Sequence, residues 1–180
     1  QYEAALGRFR ASCAGYCVAT YVLGVIGDSR GDDVMLARDG RLFHVDFSRI
    51  LLGNDKSSSS SFSTSSFSSS STFNFNITPD IARVIGGSRT YGWARFVQLS
   101  CLAYNSLRRR HRALLTLFEM MISAGLPHVN GTAHLTHIKN VLAIELSDAE
   151  AAERFAKIIH DSVGNGRARI NNAVRVLARG

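Results

Sequence analysis

A chain of 180 residues with 46% apolar side chains can bury a domain-sized core, which excludes a wholly disordered polar tail. Its formal charge of +7 points to an anionic partner, whether phosphate, lipid headgroup or nucleic acid. Three cysteines, Cys13, Cys17 and Cys101, fit neither a disulfide framework nor a zinc spacing; Cys13 and Cys17, four apart in an apolar segment, are expected to be small buried hydrophobes rather than a ligand pair, in a reducing intracellular compartment.

The chain opens at Gln1 with a helical pattern already under way, as expected for a piece of something longer. Leu6, Phe9, Cys13, Tyr16 and Leu23 recur at helical spacing and predict one helix from about Tyr2 to Leu23, broken by Gly24 and Gly27. The uncharged run from Ser12 to Gly27 is shorter than the roughly 18 residues a membrane span needs. An acidic loop follows, then two β-like runs, "VMLAR" and "RLFHV", separated by Asp39-Gly40. Asp-Gly between two such runs predicts a hairpin with a two-residue type I′ turn. That register sets Arg38 across from Arg41, Leu36 from Phe43, Val34 from Val45, and Asp33 from Asp46.

Two carboxylates facing each other across paired strands repel. A divalent cation such as magnesium would remove the conflict, since it takes one or two carboxylates together with waters and nucleotide phosphate oxygens. The alternative is that the strands fray before Asp33 and leave two solvated loop acids.

Residues Lys56 to Asn76, "KSSSSSFSTSSFSSSSTFNFN", are too serine-rich to offset their ordering entropy and predict a flexible insertion. Beyond it the chain reads as helices. Thr78-Pro79 opens the first and Gly86-Gly87 closes it. The segments "SRTYGWARFVQLSCLAYNSLRR" and "RALLTLFEMMISAG" follow, the second ended by Gly125 and Pro127. Then come "TAHLTHIKNVLAIEL" and "SDAEAAERFAKIIHDSV", the latter with a Ser147–Glu150 capping box. The basic cluster "LRRRHR", Leu107 to Arg112, reads as solvated surface at a helix junction, with lipid contact as the alternative. No nucleic-acid-binding motif accompanies the charge, so nucleic acid is not the expected partner.

"SCAGYCVATYVLG", then "GD", "LFHVDF", "ITPD" and "LFEMMISAGLP", together resemble the catalytic domain of the phosphoinositide 3-kinases, nearest to the class I lipid kinases. The resemblance covers the chain apart from the serine tract. It implies an α+β, mostly α fold: the carboxyl-terminal lobe of a protein-kinase-like domain over residues 1–180. A small hairpin would lie at the metal loop, and residues 56–76 would be an insertion in the activation loop. It also implies ATP and Mg2+ as cofactors, a membrane phosphatidylinositol as substrate, and transfer of the γ-phosphate to the inositol ring. An amino-terminal lobe upstream of Gln1, a regulatory subunit and a cytoplasmic, peripheral-membrane location are implied as well. This part alone would then be inactive.

On the residues themselves, Asp46 and Phe47 match the family's Asp-Phe-Gly motif, with Ser48 in place of glycine, and Asp46 would hold the metal. Asp33 stands where the family has a metal-binding asparagine. In the catalytic loop Asp28 matches, whereas Ser29 and Arg30 replace arginine and the histidine thought to accept the inositol proton. An arginine cannot act as a base at neutral pH. His44, beside Asp46, matches a family histidine and is expected to be structural. Between Phe47 and Ile77 only Arg49 and Lys56 offer positive charge, which predicts plain phosphatidylinositol or weak headgroup discrimination. Residues 167–180 resemble the family's last, membrane-touching helix. A pseudokinase kept for partner or membrane binding is the competing expectation, and a related protein kinase a weaker one.

Overall fold

The computed structural model describes residues 1–24, 34–45, 77–125 and 131–164. In chain order these form helix α1 (Tyr2–Val22), strands β1 (Val34–Leu36) and β2 (Leu42–His44), and helices α2 (Pro79–Ile85), α3 (Tyr91–Arg109), α4 (His111–Ser123), α5 (Gly131–Leu142) and α6 (Asp148–Gly164). The two strands pair antiparallel. The expected mostly helical fold with one small hairpin is the fold observed.

Helix α1 is the central element, packed against α3, β2, α2 and α5. Its buried side chains, Phe9, Cys13, Ala14, Cys17, Val18, Tyr21 and Val22, follow the helical stride read from the sequence. Helix α6 closes the other side of α3. Between them Tyr104 and Phe155 stack with ring centroids 4.3 Å apart, and Tyr21 meets Phe155 at 5.2 Å. Burial pushes the Cys13 thiol up to about 12 and raises the Cys17 and Cys101 thiols as well. The cysteines of α1 are core hydrophobes, as expected.

Helix boundaries follow local chemistry. The Thr78 hydroxyl accepts from the Ile81 amide with Pro79 behind it, and both Gly86 (φ 122°) and Gly87 return their amides to the Ala82 carbonyl. Thr90 caps α3 by accepting from the Trp93 amide. At the head of α6 the Ser147 amide donates to Glu150 at 2.9 Å and the Glu150 amide returns to the Ser147 hydroxyl at 3.3 Å. This is the capping box read from the sequence.

Two expectations are corrected. The helical reading of residues 132–146 runs too far: α5 ends at Leu142, and Ala143 takes a left-handed conformation with φ 45°. Such a residue costs about 1–2 kcal/mol unless its surroundings hold it. Here they do. Arg108 donates to the carbonyls of Leu142 at 2.8 Å and Ala143 at 3.0 Å, and to that of Leu146, while the Tyr104 hydroxyl donates to the Val141 carbonyl at 2.7 Å. Those partners satisfy the carbonyls that a helix end leaves open. The same contacts correct the reading of Leu107 to Arg112 as uniformly solvated. Arg109, Arg110 and Arg112 are exposed, but Arg108 is only 5% exposed.

Candidate functional site

The hairpin is fastened along α1 at several points. At its tip the Ala37 amide donates to Arg41 O at 2.8 Å and the Gly40 amide to Ala37 O at 2.9 Å, enclosing a three-residue loop, Arg38-Asp39-Gly40. The Asp39 carboxylate accepts from the Arg41 amide at 3.2 Å and from its guanidinium at 2.9 Å. Gly40 has φ 95°, a conformation that favours glycine, and a Cβ there would lie 2.7 Å from the Ala5 carbonyl oxygen. Arg8 of α1 donates to the Asp39 carbonyl at 2.7 Å, and the Leu42 amide donates to the Ser12 hydroxyl at 2.9 Å. Farther along, the rings of Tyr16 and His44 meet at 5.2 Å. His44 thus packs on α1, in keeping with the structural role expected of it.

This loop corrects the expected register. A three-residue connection, a tight turn followed by a left-handed glycine, replaces the two-residue type I′ turn. Val34 pairs with His44, Met35 with Phe43 and Leu36 with Leu42. The pairings of Leu36 with Phe43 and Val34 with Val45 are therefore displaced by one residue. The physical reason is the packing of Gly40 against α1, which draws the glycine into the loop as its third residue. Asp28, Arg30, Asp33 and Asp46 lie outside the described residues, as do Lys56 to Asn76 and residues 167–180. The strands that lead to Asp33 and Asp46 are formed. Among the described residues no three His, Cys, Asp or Glu side chains gather as a metal site.

The other approach to the acidic loop is also built. Helix α1 stops at Gly24, φ 59°, where a Cβ would lie 3.1 Å from His137 Nε2 on α5. Burial first, then the neighbouring His134, lowers the pKa of the His137 imidazole. Four residues after Gly24 comes Asp28.

A family model described as phosphatidylinositol 3- and 4-kinase matches residues 1–131, from α1 through the hairpin and α4. The chain belongs to the phosphatidylinositol 3- and 4-kinase family. Phosphatidylinositol 3-kinase 1 of Dictyostelium discoideum is 40% identical over 99% of the chain, which spans 11% of that protein. Phosphatidylinositol 3-kinase C2 domain-containing subunit gamma of Homo sapiens is 36% identical over 99% of the chain, which spans 12% of it. Phosphatidylinositol 4-phosphate 3-kinase C2 domain-containing subunit beta of Homo sapiens is 33% identical over the same share, covering 10% of that protein. The chain therefore spans about a tenth of the length of the curated relatives it matches. No helix among the described residues is long and apolar enough to cross a membrane.

Sequence reasoning missed Arg108 and Gly92. A Cβ on Gly92 would run into the Ile85 carbonyl oxygen, which also accepts from Arg10 at 3.2 and 3.3 Å. Neither position had a local signal. Arg108 lay inside a basic cluster, and Gly92 inside a good helix pattern.

Proposed function

We propose that residues 1–180 are the carboxyl-terminal lobe of a phosphatidylinositol 3-kinase, with residues 56–76 inserted in its activation loop. The whole protein transfers the γ-phosphate of ATP to the inositol ring of a membrane phosphoinositide. The supporting observation is identity of 40% to a phosphatidylinositol 3-kinase across 99% of the chain, in a sequence with Asp28 and Asp46 at the family's aspartates and Asp33 in place of its asparagine.

The donor chemistry fits magnesium and nucleotide. Asp33 and Asp46 are hard carboxylate oxygen ligands, of the kind that hold Mg2+ beside phosphate. In sequence they flank the two paired strands, Asp33 one residue before β1 and Asp46 two residues after β2. When bound, the metal neutralises charge on the transferring phosphoryl group. Asp46 serves as the main metal ligand and Asp33 as the second, and both thereby fix the ATP phosphates. Asp28 takes the proton of the attacking inositol hydroxyl, the role an aspartate plays in protein kinases. Arg30 cannot accept a proton and instead offers a fixed positive charge to the phosphate.

Positioning and electrostatics supply most of the rate in such a transfer. The upstream amino-terminal lobe covers the nucleotide. The protein works as a cytoplasmic, peripheral membrane enzyme, with residues 167–180 on the anionic leaflet and a regulatory subunit as a further partner. The serine tract gives little electrostatic grip on extra headgroup phosphates, so phosphatidylinositol itself is accepted. Placement nearest class I belongs to this same reading.

A second reading is favoured by Arg30 and Ser48: a catalytically impaired kinase that binds membrane or partners. The experiment is turnover of phosphatidylinositol vesicles by the full-length protein with ATP and Mg2+, beside Asp28→Asn and Arg30→His. The enzyme reading expects turnover in the parent, loss of about a hundredfold or more in Asp28→Asn, and persistence in Arg30→His. A silent parent that Arg30→His awakens supports the impaired kinase instead.

A further inference from the structure

We infer that the outward face of α4 is a docking surface for an anionic lipid bilayer, a membrane contact separate from residues 167–180. The helix buries Leu115 and Phe118 and partly buries Leu114 and Met121 against the core. On its other side Ala113, Leu117, Met120 and Ala124 succeed one another at helical stride, and all four are exposed, Leu117 by 58% and Met120 by 62%. Single apolar side chains are common on protein surfaces. A stripe along a whole helix with no polar residue in its line is a different feature, of the kind that marks an interaction site.

The charges around the stripe select the partner. Arg110, the residue before the helix, heads the stripe three positions ahead of Ala113, and Arg112 lies in the first turn. Both are exposed, and among the described residues neither is in an ion pair. The field at a helix start disfavours cations, so these two arginines gain nothing from α4 itself. Arg109 adds charge beside them, although it is held to Asp148 at 2.7 Å. The acid of α4, Glu119, lies off the stripe, about 100° round the helix from Met120 and on the same side as Arg112. An acid-free apolar stripe headed by unpaired arginines is complementary to a layer of anionic headgroups over acyl chains. Leu117 and Met120 would enter the acyl boundary, while the arginines keep their heads at headgroup level.

The inference deepens the lipid-kinase reading, but its test uses no ATP, so either can fail without the other. The full-length protein is floated with vesicles of phosphatidylcholine, with and without phosphatidylserine. The double variant Leu117→Ser, Met120→Ser should bind the phosphatidylserine vesicles about tenfold more weakly. Arg110→Glu with Arg112→Glu should weaken binding by at least about tenfold and reduce the preference for phosphatidylserine. A third variant guards against misfolding. In Met120→Trp, lipids carrying a quencher in the acyl chain should quench the new fluorescence well beyond that of Trp93, which is buried. Vesicle binding unchanged in the serine or glutamate variants, or an unquenched Met120→Trp, overturns the proposal and leaves the stripe to a protein partner.

Discussion

The Arg108 guanidinium lies 2.9 Å from the Asp148 carboxylate, and the same side chain donates to the carbonyls of Leu142, Ala143 and Leu146. One buried cation thereby joins the end of α3, the frayed end of α5 and the start of α6. Arg108→Met would leave three carbonyls without this donor and the Asp148 carboxylate with Arg109 alone, and should destabilise the protein by on the order of 3 kcal/mol. Arg108→Lys should recover only part of this, because an ammonium lacks the guanidinium fork. Urea midpoints measure both. An Arg108→Met protein as stable as the parent would contradict the assignment.

Acid should loosen the same junction. Hydrogen bonds from Arg109, opposed by desolvation and helped by the charges of Arg109 and Arg108, hold the Asp148 carboxyl below the usual range. The Ser147 hydroxyl, then its amide, do so for Glu150. A lowered folded pKa stabilises fully above the unfolded value, near 4, and that stabilisation is lost as pH falls through the folded value. Asp148→Asn should therefore be less stable than the parent at pH 7, with the gap closing at acid pH. A gap that stays constant in pH-dependent thermal unfolding would refute the linkage.

Gly40→Ala should loosen the hairpin without disturbing the helices. Its φ of 95° and the 2.7 Å approach of the Ala5 oxygen together predict a cost of about 1–3 kcal/mol. Amide exchange at Ala37 and Leu42 should accelerate, while amides in α6 keep their protection. Unchanged exchange at Leu42 would show that the tip does not depend on glycine.

How much of this was legible in the sequence can be judged residue by residue. The stride of Phe9 and Cys13 in α1, the Thr78 and Ser147 caps and the Gly86-Gly87 stop are local signals, and they read correctly. The hairpin was also local, since Asp39-Gly40 announced a turn. Its register was not, because the loop length depends on how Gly40 meets Ala5, thirty-five residues earlier in the chain. That one-residue difference changes the partners of Val34 and Leu36, while Asp33 and Asp46 lie outside the described residues. The end of α5 was hidden for the same reason: its carbonyls are taken by an arginine 34 residues away. Of the candidate site, the family motifs named Asp28, Arg30, Asp33 and Asp46. The contacts of Ser12 with Leu42, Tyr16 with His44 and His137 with Gly24 emerged only with the tertiary packing.

Thiol labelling should follow burial. With its pKa pushed up to about 12, Cys13 carries almost no thiolate at pH 8, and Cys17 is raised too. Cys101 is half-buried and its thiol is also raised, with Sγ 3.5 Å from the Ala152 carbonyl. A maleimide should react first at Cys101, and at Cys13 and Cys17 only after unfolding. Prompt modification of Cys13 in the folded protein would contradict its place in the core.

The most direct test of the whole account is transfer of labelled γ-phosphate from ATP to phosphatidylinositol vesicles by the full-length protein with Mg2+, beside Asp46→Ala. The expected result is turnover in the parent and a loss on the order of a hundredfold or more in the variant, with no change in thermal midpoint. Equal turnover in the two proteins would contradict the role given to Asp46, and no transfer by the parent would contradict the lipid-kinase reading.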